Sequence, residues 1–389
     1  MTPAARLSAA ITVLDRILAG APVEQSLTNW GRGNRFAGSG DRHAIRDLVF
    51  DALRCRQSFA AIGGGLTGRG LVLGGVRAAG GDVAALFSGE GHAPAAVRLD
   101  EAGHLPDGAE ALDVPDWLTE PLQAALGAEF PAVMQVMRHR APVFLRVNLA
   151  RISRDEAGRL LADQGIATEP VDWVNSALQV IANARKIQSS APYLEGLIEL
   201  QDASSQAVVA LLDLRPGMRV LDYCAGGGGK TLAMAALGAK VDAHDANAAR
   251  MSGLAERAGR AGAKIRIVQD PVQSAPYEVI PVDAPCSGSG SWRRDPQGKW
   301  ALTPERLAEL VRIQAAILDQ CVALLQPKGM LAYVTCSLLA QENEAQVAGF
   351  LARHPGFHVL DQRRFSPLQG GDGFFAALLT RDGTRTTQL

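Results

Sequence analysis

Residues 222–231 read Asp-Tyr-Cys-Ala-Gly-Gly-Gly-Gly-Lys-Thr and stand between a short apolar run and an amphipathic stretch. The pattern predicts a strand that ends at Asp222, then a glycine turn, then a helix. Glycines let backbone N–H groups approach a ligand closely, because no Cβ is in the way. The ending Gly-Lys-Thr (residues 229–231) suggests a phosphate-binding loop, but that motif needs a glycine where Cys224 stands. The turn therefore favours a nucleoside over a nucleoside triphosphate.

The rest of the C-terminal half alternates strand-like and helical patterns. Apolar runs that predict strands lie at residues 219–222, 240–243, 265–268, 279–282 and 330–334. The longest helical pattern starts at Thr303, a residue suited to an N-cap, and extends to Leu325. Such alternation predicts an α/β fold with a doubly wound, largely parallel sheet. Pro281 fits this poorly, because a proline inside a central strand removes a hydrogen-bond donor.

Two acids stand at the predicted carboxyl ends of the next two strands. Asp245 comes 23 positions after Asp222, near the ~20-residue spacing at which a carboxylate accepts the ribose hydroxyls of a bound nucleoside. Asp270 ends the third strand, where it would lie near an adenine. Each acid alone could be a turn residue. Their combination with the glycine turn predicts a nucleoside-type cofactor.

Four of the cysteines fall into two groups. Cys55 and Cys321 continue the apolar stripes of predicted helices, so we expect them to be small core residues. Cys286 follows the fourth strand and Cys336 the fifth, so both should face the crevice at the carboxyl ends of the sheet. The five cysteines of the chain show no disulfide framework and no Cys-x-x-Cys spacing. A reducing, cytoplasmic setting and no bound metal are therefore expected.

A thiolate beside a methyl-donor site suggests a particular chemistry. Carbon-5 of a pyrimidine is a weak nucleophile, but a thiolate that adds at carbon-6 makes an enamine whose carbon-5 attacks a methyl group. A base then removes the carbon-5 proton, and the thiolate leaves. Asp283 stands close enough to Cys286 to bind the ring N3 and amino group and stabilise the charged adduct. These residues alone do not say whether Cys286 or Cys336 attacks.

Residues 201–380 resemble the RsmB/Nop2/Sun family of S-adenosylmethionine-dependent RNA (cytosine-5) methyltransferases. The resemblance rests on residues 224–231, 283–290 (Asp-Ala-Pro-Cys-Ser-Gly-Ser-Gly), 294–300 (Arg-Asp-Pro-Gln-Gly-Lys-Trp), 333–337 (Tyr-Val-Thr-Cys-Ser) and 342–343 (Glu-Asn). It implies that Cys336 is the nucleophile and that Cys286 assists product release, whereas cytosine-5 DNA methyltransferases attack with the Pro-Cys cysteine, here Cys286. It also implies cofactor contacts at Cys224, Ala225, Gly226, Gly227, Gly228, Gly229, Lys230, Asp245, Arg250, Asp270 and Asp283. Gly227-Gly228 departs from the Ala-Pro usual in the family.

The N-terminal third reads as helical, with a helix that starts near Asp41 as its N-cap. Residues 30–42 resemble the NusB-like RNA-binding region of bacterial ribosomal RNA members, and residues 146–148 resemble the start of the module before their catalytic domain. Three domains are therefore predicted: an all-helical RNA-binding domain (1–135), a small α+β module (136–200) and a Rossmann-like class I methyltransferase domain (201–389). RNA contacts are expected at Arg32, Arg35, Arg42, Arg46, Arg146, Arg294 and Lys299.

The composition sets broad limits. The 389 residues have a formal net charge of −1 and include 41 glycines, many of them between residues 60 and 108, where the pattern predicts little. No apolar run reaches the ~20 residues of a membrane helix. We expect no membrane partner, a monomer, and RNA as the partner, with 16S ribosomal RNA favoured. Alternatives are an inactive RNA-binding or assembly factor, a tRNA substrate, a nucleotide hydrolase, and a small-molecule methyltransferase that leaves both cysteines without a role.

Overall fold

A computed structural model describes residues 1–381, so residues 382–389 of the predicted third domain lie outside the described part. The helices are α1 (Pro3–Leu18), α2 (Val23–Gly33), α3 (Ser39–Arg54), α4 (Arg56–Gly63), α5 (Gly68–Ala78), α6 (Val83–Leu86), α7 (Gly108–Ala111), α8 (Asp116–Leu126), α9 (Phe130–Met137), α10 (Arg154–Asp163), α11 (Ala191–Leu194), α12 (Ala203–Ala210), α13 (Gly229–Ala236), α14 (Leu254–Ala261), α15 (Pro296–Ala301), α16 (Pro304–Val322) and α17 (Glu344–Arg353). The strands are β1 (Val143–Val147), β2 (Ala167–Pro170), β3 (Ala177–Ala182), β4 (Ile198–Leu200), β5 (Arg219–Asp222), β6 (Lys240–Ala243), β7 (Ile265–Ile267), β8 (Tyr277–Asp283), β9 (Leu325–Thr335), β10 (His358–Phe365) and β11 (Phe374–Thr380). The chain divides into two compact units, one of Met1–Arg140 with Trp292–Ala301 and one of Ala141–Ser291 with the residues from Leu302 onward.

The first unit is helical and contains α1–α9 and α15. Helix α1 starts where the Thr2 hydroxyl accepts a hydrogen bond from the Ala5 N–H (3.2 Å), which satisfies a first-turn donor. Its buried face includes Leu7 and Leu14 and packs against α3 and α5. Helix α3 begins before the predicted N-cap, so Asp41 instead lies in its first turn.

Glycines set how α4 and α5 pack against each other. A Cβ at Gly63 would lie 1.8 Å from the Gly70 carbonyl oxygen, and a Cβ at Gly74 would lie 1.9 Å from the Phe59 carbonyl oxygen. Only glycine allows the two backbones to come this close, so part of the glycine-rich stretch has a packing role. Within the described residues no single helix has the length and apolar character of a membrane span; α4 and α5 meet that test only as a pair bent by 88°.

A segment from the C-terminal half belongs to the helical unit. Residues Trp292–Ala301, which contain α15, group with the first 140 residues. The Lys299 ammonium donates to the carbonyl oxygens of Arg54 (3.0 Å) and Asp113 (2.8 Å). The helical unit is thus assembled from two separate stretches of sequence. The predicted division of the chain at residues 135 and 200 gives the helical domain only the first of them.

The second unit contains a small sheet, whose strands β1–β4 lie within the range predicted for the α+β module. Its four antiparallel strands have the order β2-β3-β1-β4. Strand β1 pairs with β3 at Val143↔Val180 and with β4 at Leu145↔Leu200. Helix α10 packs on this sheet, and the buried residues between them include Leu145 and Leu161. This small sheet and the large sheet belong to the same compact unit.

The large sheet has seven strands in the order β10-β11-β9-β8-β5-β6-β7. Strands β9, β8, β5, β6 and β7 run parallel, and β11 and β10 add antiparallel pairs at one side. The α/β prediction is confirmed, and all five predicted strands are present; β10 and β11 were not predicted. Strand order reverses at β5, which has β6 on one side and β8 on the other. Ligand sites in such sheets lie outside the carboxyl ends of the strands at this point.

Two prolines of this unit occupy contrasting positions. Pro281 lies inside β8, in register with Ala332 of β9. Its missing N–H is tolerated because β8 pairs with β5 only at Val220↔Val279, while the β8–β9 ladder continues through Asp283. Pro304 opens α16, where the first-turn N–H groups have no partner in the helix. Thr303 is the N-cap of α16, as predicted.

Candidate active site

The glycine turn connects β5 to α13. Gly226 and Gly228 have φ values of +53° and +81°, in the left-handed region that favours glycine. A Cβ at Gly228 would lie 2.2 Å from the Leu254 Cδ1 atom. A proline ring fixes φ near about −65°, so position 228 cannot correspond to the family's proline. The φ of +81° at position 228 therefore suits glycine and not the proline that the resemblance implies there.

Asp245 holds the glycine turn in place. Its carboxylate accepts hydrogen bonds from the N–H groups of Gly226 (2.9 Å) and Asn247 (2.9 Å) and pairs with Arg250 (3.1 Å). Asp270 follows β7 and caps the short 3-10 turn after it. The structure thus brings Asp245 and Arg250 to the turn, and it places Asp270 at the carboxyl end of the third parallel strand.

Lys230 and Asp283 form an ion pair beside the turn. The Lys230 Nζ atom lies 2.7 Å from the Asp283 Oδ2 atom and 5.1 Å from the centre of the Phe374 ring. Burial lowers the pKa of Lys230, but the charge and hydrogen bond of Asp283 outweigh this effect and raise the pKa overall. The lysine is already paired with a carboxylate, which disfavours the nucleotide hydrolase alternative.

The two strand-end cysteines lie side by side. The Sγ atoms of Cys286 and Cys336 are 3.5 Å apart. The hydrogen bond between the thiols, together with burial, raises the pKa of Cys286 well above its usual range. The Ser291 hydroxyl lies 4.0 Å from the Cys336 sulfur. The structure therefore brings together the two thiols that the sequence predicted for one crevice.

The other cysteines are in less reactive surroundings. Cys55 is 7% exposed and Cys321 is fully buried, which confirms that both are core residues. Burial raises the pKa of Cys55 to about 11. Cys224 lies in the glycine turn, and burial raises the pKa of its thiol far above the usual range. These surroundings disfavour the thiolate at all three positions.

Asp222 is a residue of the site to which the sequence analysis gave no role. It ends β5 with 1% of its surface exposed, and its Oδ2 atom accepts a hydrogen bond from the Thr231 hydroxyl (2.6 Å). Its buried Oδ1 atom has no hydrogen-bond partner among the described residues. Burial raises the pKa of Asp222 to about 6. The sequence feature that could have identified Asp222 is its position as the last strand residue before the glycine turn.

Glu342 is a second such residue, although its segment was part of the resemblance. Its side chain is fully buried and accepts hydrogen bonds from the Ser287 N–H (2.8 Å), the Ser287 hydroxyl (2.5 Å), the Ser337 hydroxyl (2.5 Å) and the Gln314 amide (3.0 Å). It therefore connects the loop after β8 with the loop after β9.

Several residues predicted to contact RNA are exposed on the helical unit. Arg32, Arg35 and Arg42 lie on or beside the loop between α2 and α3, and Arg294 is also exposed. Arg46 is partly exposed and pairs with a glutamate of α2 (2.6 Å). These positions leave the side chains accessible to a phosphate backbone.

Two of the predicted RNA contacts are corrected by the structure. Arg146 in β1 is 5% exposed, and burial lowers its pKa to about 10. Lys299 is also 5% exposed, and burial lowers its pKa to about 8. Neither side chain is available to RNA at the surface. Phe36 was overlooked, because an apolar residue gives no charge signal; its side chain is 74% exposed beside Arg35.

Comparisons with known proteins agree with this geometry. A sequence model described as 16S rRNA methyltransferase RsmB/F matches residues 209–380, and one for the RsmF/B-like ferredoxin-like domain matches residues 114–188. The ribosomal RNA small subunit methyltransferase B of Xylella fastidiosa is 34% identical over 316 residues, which are 74% of this chain and 72% of that protein. The chain belongs to the RsmB/F methyltransferase family.

Other RsmB/F relatives and structures fit this membership. The methyltransferase B of Salmonella arizonae is 35% identical over 284 residues, and the match covers 69% of this chain but 66% of that protein, just under two thirds of its length. A solved methyltransferase homolog from Pyrococcus horikoshii has a TM-score of 0.62 at 24% identity, over 70% of this chain and 97% of that one. That structural similarity supports the Rossmann-like fold. S-adenosylmethionine is the cofactor of the RsmB/F family, as the resemblance implied.

Proposed function

We propose that the protein transfers a methyl group from S-adenosylmethionine to carbon-5 of a cytosine in RNA, with small-subunit ribosomal RNA as the favoured substrate. The observation that carries the proposal is the pair of sulfurs, those of Cys286 and Cys336, 3.5 Å apart at the carboxyl ends of β8 and β9. A methyl acceptor that is already a good nucleophile needs no thiolate. Two adjacent thiols therefore favour a weak carbon nucleophile that must be activated covalently.

The side chains of this chain have distinct roles in that reaction. We assign the attack to Cys336, whose sulfur bonds to carbon-6 and places an electron pair on the ring, which carbon-5 uses to bond the methyl group. S-adenosylmethionine, when bound, supplies that methyl group. Loss of the carbon-5 proton to solvent restores the carbon-5–carbon-6 double bond as the sulfur–carbon-6 bond breaks. Asp283 and Lys230 form a charged pair that can hold the N3 and amino edge of the base.

The residues around the glycine turn suit S-adenosylmethionine. The N–H groups of Gly226 and Gly228 donate to Asp245 and to the Ala225 carbonyl oxygen, so they shape the turn, and a ligand would meet the N–H groups at the start of α13. Asp245 can accept ribose hydroxyls. The buried Oδ1 atom of Asp222 lacks a partner in the described part of the chain. An unpartnered carboxylate oxygen suits a ligand that carries an ammonium group, as S-adenosylmethionine does. Asp270 and Arg250 complete the proposed contacts.

We assign RNA binding to the loop between α2 and α3. Within the described residues, Arg32 and Arg35 make no ion pair or side-chain hydrogen bond, and both are exposed. Phe36 beside them is 74% exposed. Free guanidinium groups attract phosphates, and an exposed ring can stack on an unpaired base. This surface supports an RNA substrate over a small molecule.

The direct test supplies labelled S-adenosylmethionine with purified 16S ribosomal RNA and maps the product by bisulfite sequencing. Label should appear at carbon-5 of a cytosine. Cys336→Ala should lose activity by about 1000-fold or more, since it removes the nucleophile. Cys55→Ala is the matched control, because that thiol is buried in the helical unit, and it should keep full activity. Full activity of Cys336→Ala would contradict the assignment, and RNA binding without methyl transfer would favour the assembly-factor alternative. A parallel reaction contains tRNA in place of 16S ribosomal RNA, and label found only there would change only the substrate.

A second variant examines product release. Cys286→Ala retains the nucleophile but removes the thiol next to it, so we expect a covalent protein–RNA adduct to accumulate. The adduct should appear as a slowly migrating band on a denaturing gel, and Cys336→Ala should not form it. If the band is absent while Cys286→Ala still turns over normally, Cys286 has no role in release.

A further inference from the structure

Glu342 contacts the residue that follows each of the two cysteines. Ser287, next to Cys286, donates both its N–H and its hydroxyl to the carboxylate, and Ser337, next to Cys336, donates its hydroxyl. One buried side chain thus fixes both loops. Without it, the two loops would keep direct contacts such as that between the Ser289 and Ser337 hydroxyls (3.1 Å) but lose the carboxylate that both share.

The partners of Glu342 are neutral groups. A backbone N–H, two hydroxyls and the Gln314 amide donate to it, and such a set of donors suits an ionised carboxylate. The side chain is fully buried. A negative charge in that position is weakly screened by solvent, so it acts strongly on neighbouring groups.

The two cysteines interact with different charged groups. The hydrogen bond with Cys336, burial, and the charges of Cys336 and Glu342 raise the pKa of Cys286 and outweigh a backbone hydrogen bond from Gly288 that lowers it. Tyr333 is the other titratable group that interacts electrostatically with Cys286. Burial lowers the pKa of Lys230, and the charges of Asp283, Asp222 and Cys336 raise it. Cys336 thus interacts with a lysine that is paired with Asp283, whereas Cys286 interacts with the Glu342 carboxylate.

We propose that Glu342 is a positioning residue: its hydrogen bonds fix both cysteine loops, and its buried charge lies beside the loop of Cys286, so that Cys336 attacks and Cys286 remains a hydrogen-bond donor. The inference rests on the proposed function, because that covalent mechanism needs one sulfur to attack and the other to assist release. It also gives a structural reason for an order that the sequence left open.

A neutral Cys286 has a defined part in release. The two sulfurs are 3.5 Å apart and either can donate, so a neutral Cys286 can donate its S–H group to an ionised Cys336. When the sulfur–carbon-6 bond breaks, Cys336 takes the bonding electron pair and the S–H group of Cys286 stabilises the departing thiolate. No proton is transferred in that step, so Cys286 acts as a hydrogen-bond donor and the carbon-5 proton goes to solvent.

The test measures thiol ionisation without RNA or S-adenosylmethionine, so its outcome is separate from that of the activity assay. Iodoacetamide alkylation from about pH 6 to about pH 10, read by peptide mass spectrometry, reports the thiolate fraction of each cysteine. In a Cys336→Ala background, Glu342→Gln should move the Cys286 profile down by about one pH unit, a roughly tenfold rise in rate near neutral pH. Glu344→Gln is the matched control, because Glu344 pairs with Arg364 (2.6 Å) at the surface.

Each outcome decides the proposal. In the protein with both thiols, Cys336 should react at lower pH than Cys286. If Cys286 reacts first, the proposal is overturned even where Glu342→Gln fails to fold. An unchanged Cys286 profile in folded Glu342→Gln would show that the carboxylate is purely structural, which also overturns it. A shifted profile in a protein that methylates no RNA would support the charge arrangement and reject the proposed function.

Discussion

At the scale of single residues, the buried carboxylate of Asp222, beside the glycine turn, affects the stability of the folded protein. Its carboxylate is buried at the end of β5 and has one partner, the Thr231 hydroxyl. A buried carboxylate with few donors is less stable in its charged form than it is in water. Sites that bind a charged ligand commonly keep such a group, because the ligand provides the missing partner.

Asp222 therefore predicts a pH dependence. The pKa of Asp222 rises from 3.8 to about 6 in the folded protein. The contribution of this side chain to the free energy of unfolding is therefore fully present below pH 3.8 and is lost as the pH rises through about 6. Above pH 6, Asp222→Asn should stabilise the protein by roughly 1–3 kcal/mol, and the gain should vanish near pH 4. Chemical denaturation across this range measures the difference. Asp361→Asn, at a surface ion pair with Arg363, is the control; a parallel pH dependence in both variants would exclude Asp222 as the cause.

At the scale of elements, two adjacent glycines of the turn between β5 and α13 differ in whether they have space for a side chain. Gly228→Ala places a Cβ 2.2 Å from a Leu254 methyl group at a φ of +81°. Gly227→Ala is the matched control, because its Cβ would meet only the Arg257 guanidinium, at 3.5 Å. Strain of about 1–3 kcal/mol should weaken S-adenosylmethionine binding by about tenfold or more in Gly228→Ala. Titration calorimetry compares the two; equal affinities would show that the turn does not position the cofactor.

The elements also show what the sequence could and could not predict. Strands β5 and β6 have the predicted limits, and Cys286 and Cys336 meet as predicted, because local apolar runs and the rule for parallel strand ends both act over short stretches of chain. Arg146 and Lys299 were misjudged because their burial depends on distant partners. Lys299 is held by carbonyl oxygens of residues 54 and 113, a contact that no local pattern encodes. The antiparallel β10 and β11 likewise depend on pairing with β9.

At the scale of the whole molecule, the net charge of −1 conceals an uneven distribution. Many arginines are neutralised within the protein: Arg46 pairs with Glu24, Arg69 with Glu101 and Arg266 with Asp242. Arg32 and Arg35 are left without such partners in the described residues. The distribution of unpaired cations therefore predicts the RNA surface better than the total charge does.

That surface predicts two separable effects on RNA binding, measured by fluorescence anisotropy at several salt concentrations. Arg35→Ala should reduce the slope of log affinity against log salt by about 0.7, since one phosphate contact is lost. Phe36→Ala should weaken single-stranded RNA binding by roughly 5- to 150-fold with the slope unchanged, because stacking contributes about 1–3 kcal/mol per base. Leu99→Ala is the control, as Leu99 is fully exposed in the same unit. If Phe36→Ala behaves like Leu99→Ala, Phe36 makes no stacking contact with RNA.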